Sequence, residues 1–186
     1  INILALVMSN SKLKQPRGLW VLSFGEIWGR FSYYGLLSSL ILYLTKFFLF
    51  SDHRSYLLFG MFSSLAFCFP IIGGWLGDRY LGHHKAIILG LILNIIGNLL
   101  LAWGHDAVTF YAGLAVFIFG IGLFKPNSAT FLGFFYNKKD HRRESGFSVL
   151  YAAMNFGSIL GPVIYGIVID TYGWHLVFVL GAIAEC

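Results

Sequence analysis

Charge is scarce in this 186-residue chain: Asp, Glu, Lys and Arg together make up 11% of it, against about 25% in an ordinary soluble domain. With 58% apolar residues and a mean hydropathy of +0.74, that shortage excludes the water-soluble enzyme classes. Cysteine is nearly absent. Cys68 and Cys186 both lie in apolar runs, which leaves neither a disulfide framework nor a Cys-based zinc site. No H-E-x-x-H or G-x-S-x-G run occurs, and no loop exceeds about nine residues, so neither a catalytic set nor a separate catalytic domain is expected. No metal or other cofactor is expected either. His83 and His84 stand in a basic loop and are expected to be solvated. The leading residues, 1–7, lack the basic start and cleavage site of a signal peptide, and Met8 is a candidate start.

What the chain does contain is a series of apolar stretches near the 20 residues that a helix needs to cross about 30 Å of hydrocarbon. They run at about 18–50, 56–76, 86–103, 108–136, 146–168 and 174–186; the last, of 13 residues, falls short of a crossing. The expected fold is therefore an all-α integral membrane bundle. Residues 18–186 form the bundle, with the sixth helix truncated, and residues 1–17 form an N-terminal cytoplasmic tail.

The net charge of +5 fits this topology without nucleic acid as a partner. Lys12, Lys14 and Arg17 lie in the tail, Arg79 and Lys85 between the second and third stretches, and Lys138, Lys139, Arg142 and Arg143 between the fourth and fifth. Nine of thirteen cations thus fall on one side. The positive-inside rule places that side, and the N-terminus, in the cytoplasm.

Three charges remain inside the spans: Glu26, Arg30 and Lys125. Each costs about 2.5 to 3.5 kcal/mol on insertion scales unless it pairs or faces a wet cavity, so such residues are functional candidates by default. At about 100° per residue, Glu26, Arg30, Tyr33 and Tyr34 share one face of the first helix, and Glu26 and Arg30 are an i, i+4 pair. At about 1.5 Å per residue, Arg30, Lys125 and Asn155 reach similar depths, about 18, 16 and 13 Å from the cytoplasmic ends of their spans. That level is near the midplane, where transporters bind substrate. Pro126 beside Lys125 removes a backbone donor and bends its helix.

Four motifs occur in register. The run Glu26-Ile-Trp-Gly29-Arg30-Phe31-Ser-Tyr33-Tyr34-Gly35 resembles E-x-x-E-R-F-x-Y-Y-G. Gly73 to Gly82, with Asp78 and Arg79, resembles a transporter loop signature; Gly122 to Asn127 resembles a fourth-helix motif, and Phe147 to Ser158 a fifth-helix motif. Together they resemble the proton-dependent oligopeptide transporter family of the major facilitator superfamily. The resemblance implies a multi-pass plasma-membrane symporter of twelve helices, this chain being the N-terminal six-helix half and a C-terminal six-helix half its missing partner. It also implies that Arg30 and Lys125 face the carboxylate of a di- or tripeptide, that Tyr33, Tyr34 and Asn155 hydrogen-bond the peptide backbone, and that Glu26 joins in coupling to protons. Asp78 and Arg79 would latch the cytoplasmic loop. This chain departs from the family pattern at Gly29, where the motif has its second glutamate, at Leu37, where many relatives have arginine, and at Phe67, where a tyrosine is common. The alternatives are the same fold carrying another anion, such as nitrate, or a truncated remnant that inserts into the bilayer without transport.

Overall fold

A computed structural model describes residues 14–104, 106–137 and 140–186. Most of the expected tail, Lys12 included, and Lys138 and Lys139 of the basic loop lie outside the described residues. The described chain forms six α-helices and one π-helical turn: α1 Arg17–Lys46, α2 Asp52–Leu76, the turn Gly77–Leu81, α3 His83–Trp103, α4 Ala107–Gly133, α5 Arg142–Tyr172 and α6 Trp174–Ala184. Among the described residues no strand forms, in keeping with a solvent that leaves backbone groups no partner outside their own helix.

α2 through its π turn, α3, α4 and α5 are each long and apolar enough to cross a membrane. α1 has the length, at 30 residues, but Arg17, Glu26, Arg30 and Lys46 dilute its apolar character. α6, at 11 residues, reaches about 16 Å, half of what a crossing needs. Helix ends and apolar runs do not coincide. α5 starts at Arg142 and ends at Tyr172, beyond the apolar run 146–168, because a helix can continue into the polar interface where hydropathy no longer marks it. α1 stops at Lys46, ahead of the end of the run at Phe50, and the chain turns there through Leu49 at φ 53°.

Local chemistry sets the other boundaries. The Ser51 hydroxyl accepts from the Arg54 N–H at the start of α2, and the Asp106 carboxylate accepts from the hydroxyl and N–H of Thr109 at the start of α4, at 2.7 and 3.0 Å. These two donors hold the Asp106 carboxyl below the usual range. At the opposite end of the bundle Arg142 forks onto Asp140, with Nη2 to Oδ2 at 2.8 Å, and likewise holds that carboxyl low. The same Arg142 donates to the Lys14 carbonyl at 2.9 Å, while the Tyr136 hydroxyl donates to Gln15. The chain just before α1 is thereby tied to the α4–α5 connection.

α1 packs along α5, α3 along α4, α2 against α4, and α6 against α3 and α1. The α1–α5 contact is a backbone approach: a Cβ on Gly157 or Gly161 would overlap the carbonyl of Ile27 or Phe31. Two apolar clusters form. One gathers Phe31, Leu36, Leu40 and Tyr43 of α1 with Phe110 and Phe117 of α4 and Phe178 of α6. The other gathers Leu19 and Leu22 of α1 with Ile87, Phe124, Leu132 and Leu150. Glu26 and Arg30 fall between the two along α1, so the polar face of that helix is clamped by apolar packing at both ends. Of the four apolar helices α2 and α5 are the least buried, with Met61, Phe67 and Ile71 on one and Phe156, Ile159 and Val163 on the other standing exposed.

Candidate functional site

The sequence places an acid and a base one turn apart on α1, and the fold buries the acid. Glu26 has no exposed surface. Its Oε2 accepts from Arg30 Nε at 3.4 Å, and its Oε1 accepts from the hydroxyl of Ser128 on α4. A buried carboxylate is tolerable only when its lone pairs are taken up in this way. Arg30 keeps 23% of its side chain exposed, and its Nη2 lies 3.5 Å from the Met154 sulfur of α5. Three helices thus meet at the Glu26–Arg30 pair.

Lys125 joins them from α4. Its ammonium sits 3.5 Å from the centroid of the Tyr33 ring, a cation–π contact made at a ring that is itself 3% exposed. Arg30 and Glu26 are its charged neighbours, yet among the described residues no carboxylate lies within ion-pair distance of it. Tyr34 stands edge-on to Tyr33, centroids 5.0 Å apart. Glu26, Arg30, Tyr33, Tyr34 and Lys125 therefore form one group carrying one negative and two positive side chains. Asn155 is placed differently. It follows Met154 on α5 but is exposed, on the least covered side of the bundle.

Asp78 and Arg79 are not part of this group. Both are exposed on the π-helical turn between α2 and α3. Asp78 Oδ1 lies 3.4 Å from His83 Nε2, and His83 Nδ1 donates to Asn127 Oδ1 at 2.7 Å. Asn127, fully buried, donates in turn to the carbonyls of Gly73 and Leu123, at 3.0 and 2.7 Å. His83 is therefore not the solvated loop residue expected from its position: it opens α3, and both of its ring nitrogens face oxygen acceptors. His84, next to it, is exposed. The loop is fastened to α4 through His83 and Asn127, directly beneath the Lys125–Pro126 step.

Two residues at the site were not expected from the sequence. Ser128 lies three residues after Lys125, about 60° around the helix, so helical spacing puts it on the face that meets α1. Asn127 belongs to the fourth-helix motif but carries no charge to mark it. Gly29 also has a steric role. A Cβ there would stand 3.1 Å from the ring of Phe124, so that ring would have to give by a few tenths of an ångström for a side chain at position 29.

Comparison with known proteins agrees with this architecture. The profile of the POT family matches residues 84–184, more than half of the chain. Dipeptide and tripeptide permease A of Klebsiella pneumoniae (strain 342) is 38% identical over 177 residues, covering 95% of this chain and 35% of that protein, and the permease of the same name from Escherichia coli (strain K12) matches equally. Among solved structures, peptide transporter POT in complex with sulfate superposes with a TM-score of 0.89 at 34% identity, over 92% of this chain and 36% of that one. A POT family transporter in complex with 5-aminolevulinic acid gives 0.84 at 33% identity, over 92% and 36%. The chain spans about a third of the length of the curated relatives that it matches. The all-α membrane fold expected from the apolar stretches is the fold of the matched part of these transporters, and the similar proteins are transporters rather than enzymes. By sequence profile, by identity to the permeases and by fold, the chain belongs to the POT family.

Proposed function

We propose that this chain is the N-terminal six-helix half of a proton-coupled symporter of di- and tripeptides in the plasma membrane. The observation that carries this reading is the excess of basic groups at the buried site: Arg30 pairs with Glu26, whereas Lys125 rests on an aromatic face with no carboxylate within ion-pair distance among the described residues. A peptide carboxylate supplies the missing charge, and in a low-dielectric surround the attraction is strong. In this reading Arg30 and Lys125 bind the carboxylate, Tyr33, Tyr34 and Asn155 hydrogen-bond the peptide backbone, and Glu26 carries the proton. The permeases named above support the substrate class, as does a POT family transporter solved with a thioalcohol-conjugated peptide, which matches 95% of this chain at a TM-score of 0.84.

The second six-helix half docks on α2 and α5, whose exposed apolar faces lack a covering helix among the described residues. That placement leaves the exposed Asn155 facing the junction of the halves, where substrate binds in transporters built from repeats. In this reading Asp78 and Arg79 latch the loop, Asp78 through His83 and Asn127 and Arg79 from its place over the Tyr80 ring.

Counterflow tests the substrate. Vesicles holding the complete protein, preloaded with unlabelled dipeptide, are expected to take up labelled dipeptide, and an excess of external nitrate should not compete. Competition by nitrate without dipeptide exchange would favour an inorganic anion as cargo.

Orientation has a separate test. In a background lacking Cys68 and Cys186, both exposed, single cysteines at Ser51 and Asp106 should react with an impermeant thiol reagent applied to intact cells. A cysteine at Asn137, on the basic side, should not react until the membrane is opened. Labelling of Asn137→Cys in intact cells would invert the topology.

A further inference from the structure

The bundle contains a second buried acid that the site above does not use. Glu185 follows α6 and is 7% exposed. Around it stand Ser32 of α1, Asn94 and Asn98 of α3, and Tyr165 of α5, each no more than 2% exposed. Ser32 and Asn94 stand next to the carboxyl, although neither meets it at hydrogen-bonding geometry. The one bond in the group runs from Asn98 Nδ2 to Ser32 Oγ at 2.8 Å.

The donors present do not reach the carboxyl. Both Glu185 oxygens, the side-chain carbonyl oxygens of Asn94 and Asn98, and the Tyr165 hydroxyl are all buried without a partner. Leaving several acceptors unpaired in a membrane interior is costly, and a bare carboxylate there is costlier still. Among the described residues no Lys, Arg or His stands among the groups that face Glu185, and the titratable neighbour is Tyr165. Space is short too: a Cβ on Gly181 would crowd the Asn98 carbonyl oxygen at 2.9 Å and overlap the Tyr165 hydroxyl.

We propose that Glu185 is a proton-binding site in the interior of the bundle, where α6 meets α1, α3 and α5. One proton from the medium adds to a carboxylate oxygen, cancels the charge and creates an O–H donor on the carboxyl itself. The Asn94 carbonyl oxygen accepts it, and the Ser32 hydroxyl, already accepting from Asn98, donates to the other carboxyl oxygen. Loss of the proton leaves a buried carboxylate with no countercharge at the α6 contact, so proton occupancy and the docking of α6 on α1 and α3 rise and fall together. This site is separate from Glu26, and it stands whether or not the cargo is a peptide.

Infrared difference spectroscopy on the complete purified protein tests it. At neutral pH the parent is expected to show a buried carboxylic-acid C=O band that is lost in Glu185→Gln, a substitution of equal size that keeps a donor in place, and retained in Glu26→Gln. Should Glu185→Gln fail to fold, Asn94→Leu serves instead: removing the acceptor should shift the same band to higher frequency without abolishing it. A band unchanged by Glu185→Gln, or by Asn94→Leu, or the loss of carboxylate bands in its place, overturns the proposal. So does a sodium-dependent rise in thermal stability that Glu185→Gln removes, since a metal ion would then be the occupant.

Discussion

Replacing Lys125 by alanine in the complete protein is expected to weaken dipeptide binding by roughly ten- to a hundredfold, the equivalent of a charged hydrogen bond of about 1.5 to 3 kcal/mol. The loss should be specific to the carboxylate. A dipeptide with an amidated C-terminus should bind weakly to the parent and be little affected by the substitution, because Lys125 has nothing negative to meet in that ligand. The fold should tolerate the change. Lys125 makes no ion pair among the described residues, and removing it frees the Tyr33 ring without orphaning a carboxylate. Affinity read by tryptophan quenching or by inhibition of uptake checks both arms. An equal loss for the free and the amidated peptide would remove the carboxylate from the account.

A larger effect is expected from separating the halves. The six helices of this chain, expressed by themselves, should give no accumulation of labelled dipeptide, because alternating access requires a second bundle to rock against the first. Among the described residues the site is walled by α1, α4 and α5, with Phe62 of α2 stacked on Tyr33, while α2 and α5 present exposed apolar faces. Co-expression with a C-terminal six-helix half of a family member is the minimum that should restore uptake. Accumulation by the six helices alone under an imposed proton gradient would contradict the two-half reading.

Much of the fold was legible in the sequence for a simple reason: in hydrocarbon a run of about 20 apolar residues has few options other than a helix. Hydropathy is blind where helices leave the hydrocarbon, so the polar first turn of α5 and the end of α1 at Lys46 could not be read from it. The charged members of the site were legible for the opposite reason. Glu26, Arg30 and Lys125 violate the apolar pattern, and a violation inside a span demands a partner. Neutral polar residues give no such signal. Ser128 and Asn127 look like ordinary helix residues until α4 is laid against α1 and against the loop, and His83 looks solvated until Asn127 is found beside it.

The glycine at position 29 shows how a departure from a motif becomes intelligible in three dimensions. Glu26 takes donors from both Arg30 and Ser128, and Phe124 closes on the α1 backbone where a second glutamate would stand. Gly29→Glu would require the Phe124 ring to give way slightly and would add an acid with no base at position 37 to answer it. In the proposed reading the coupling role within the site is assigned to Glu26.

Gradient-driven uptake tests that assignment most directly. The complete protein, reconstituted in vesicles, is given labelled dipeptide with and without an imposed inward proton gradient, alongside Glu26→Gln. The account predicts that the parent concentrates dipeptide above the external level only when the gradient is present, and that Glu26→Gln loses this response. Gradient-driven accumulation that survives unchanged in Glu26→Gln, or a parent whose uptake ignores the gradient, would contradict it.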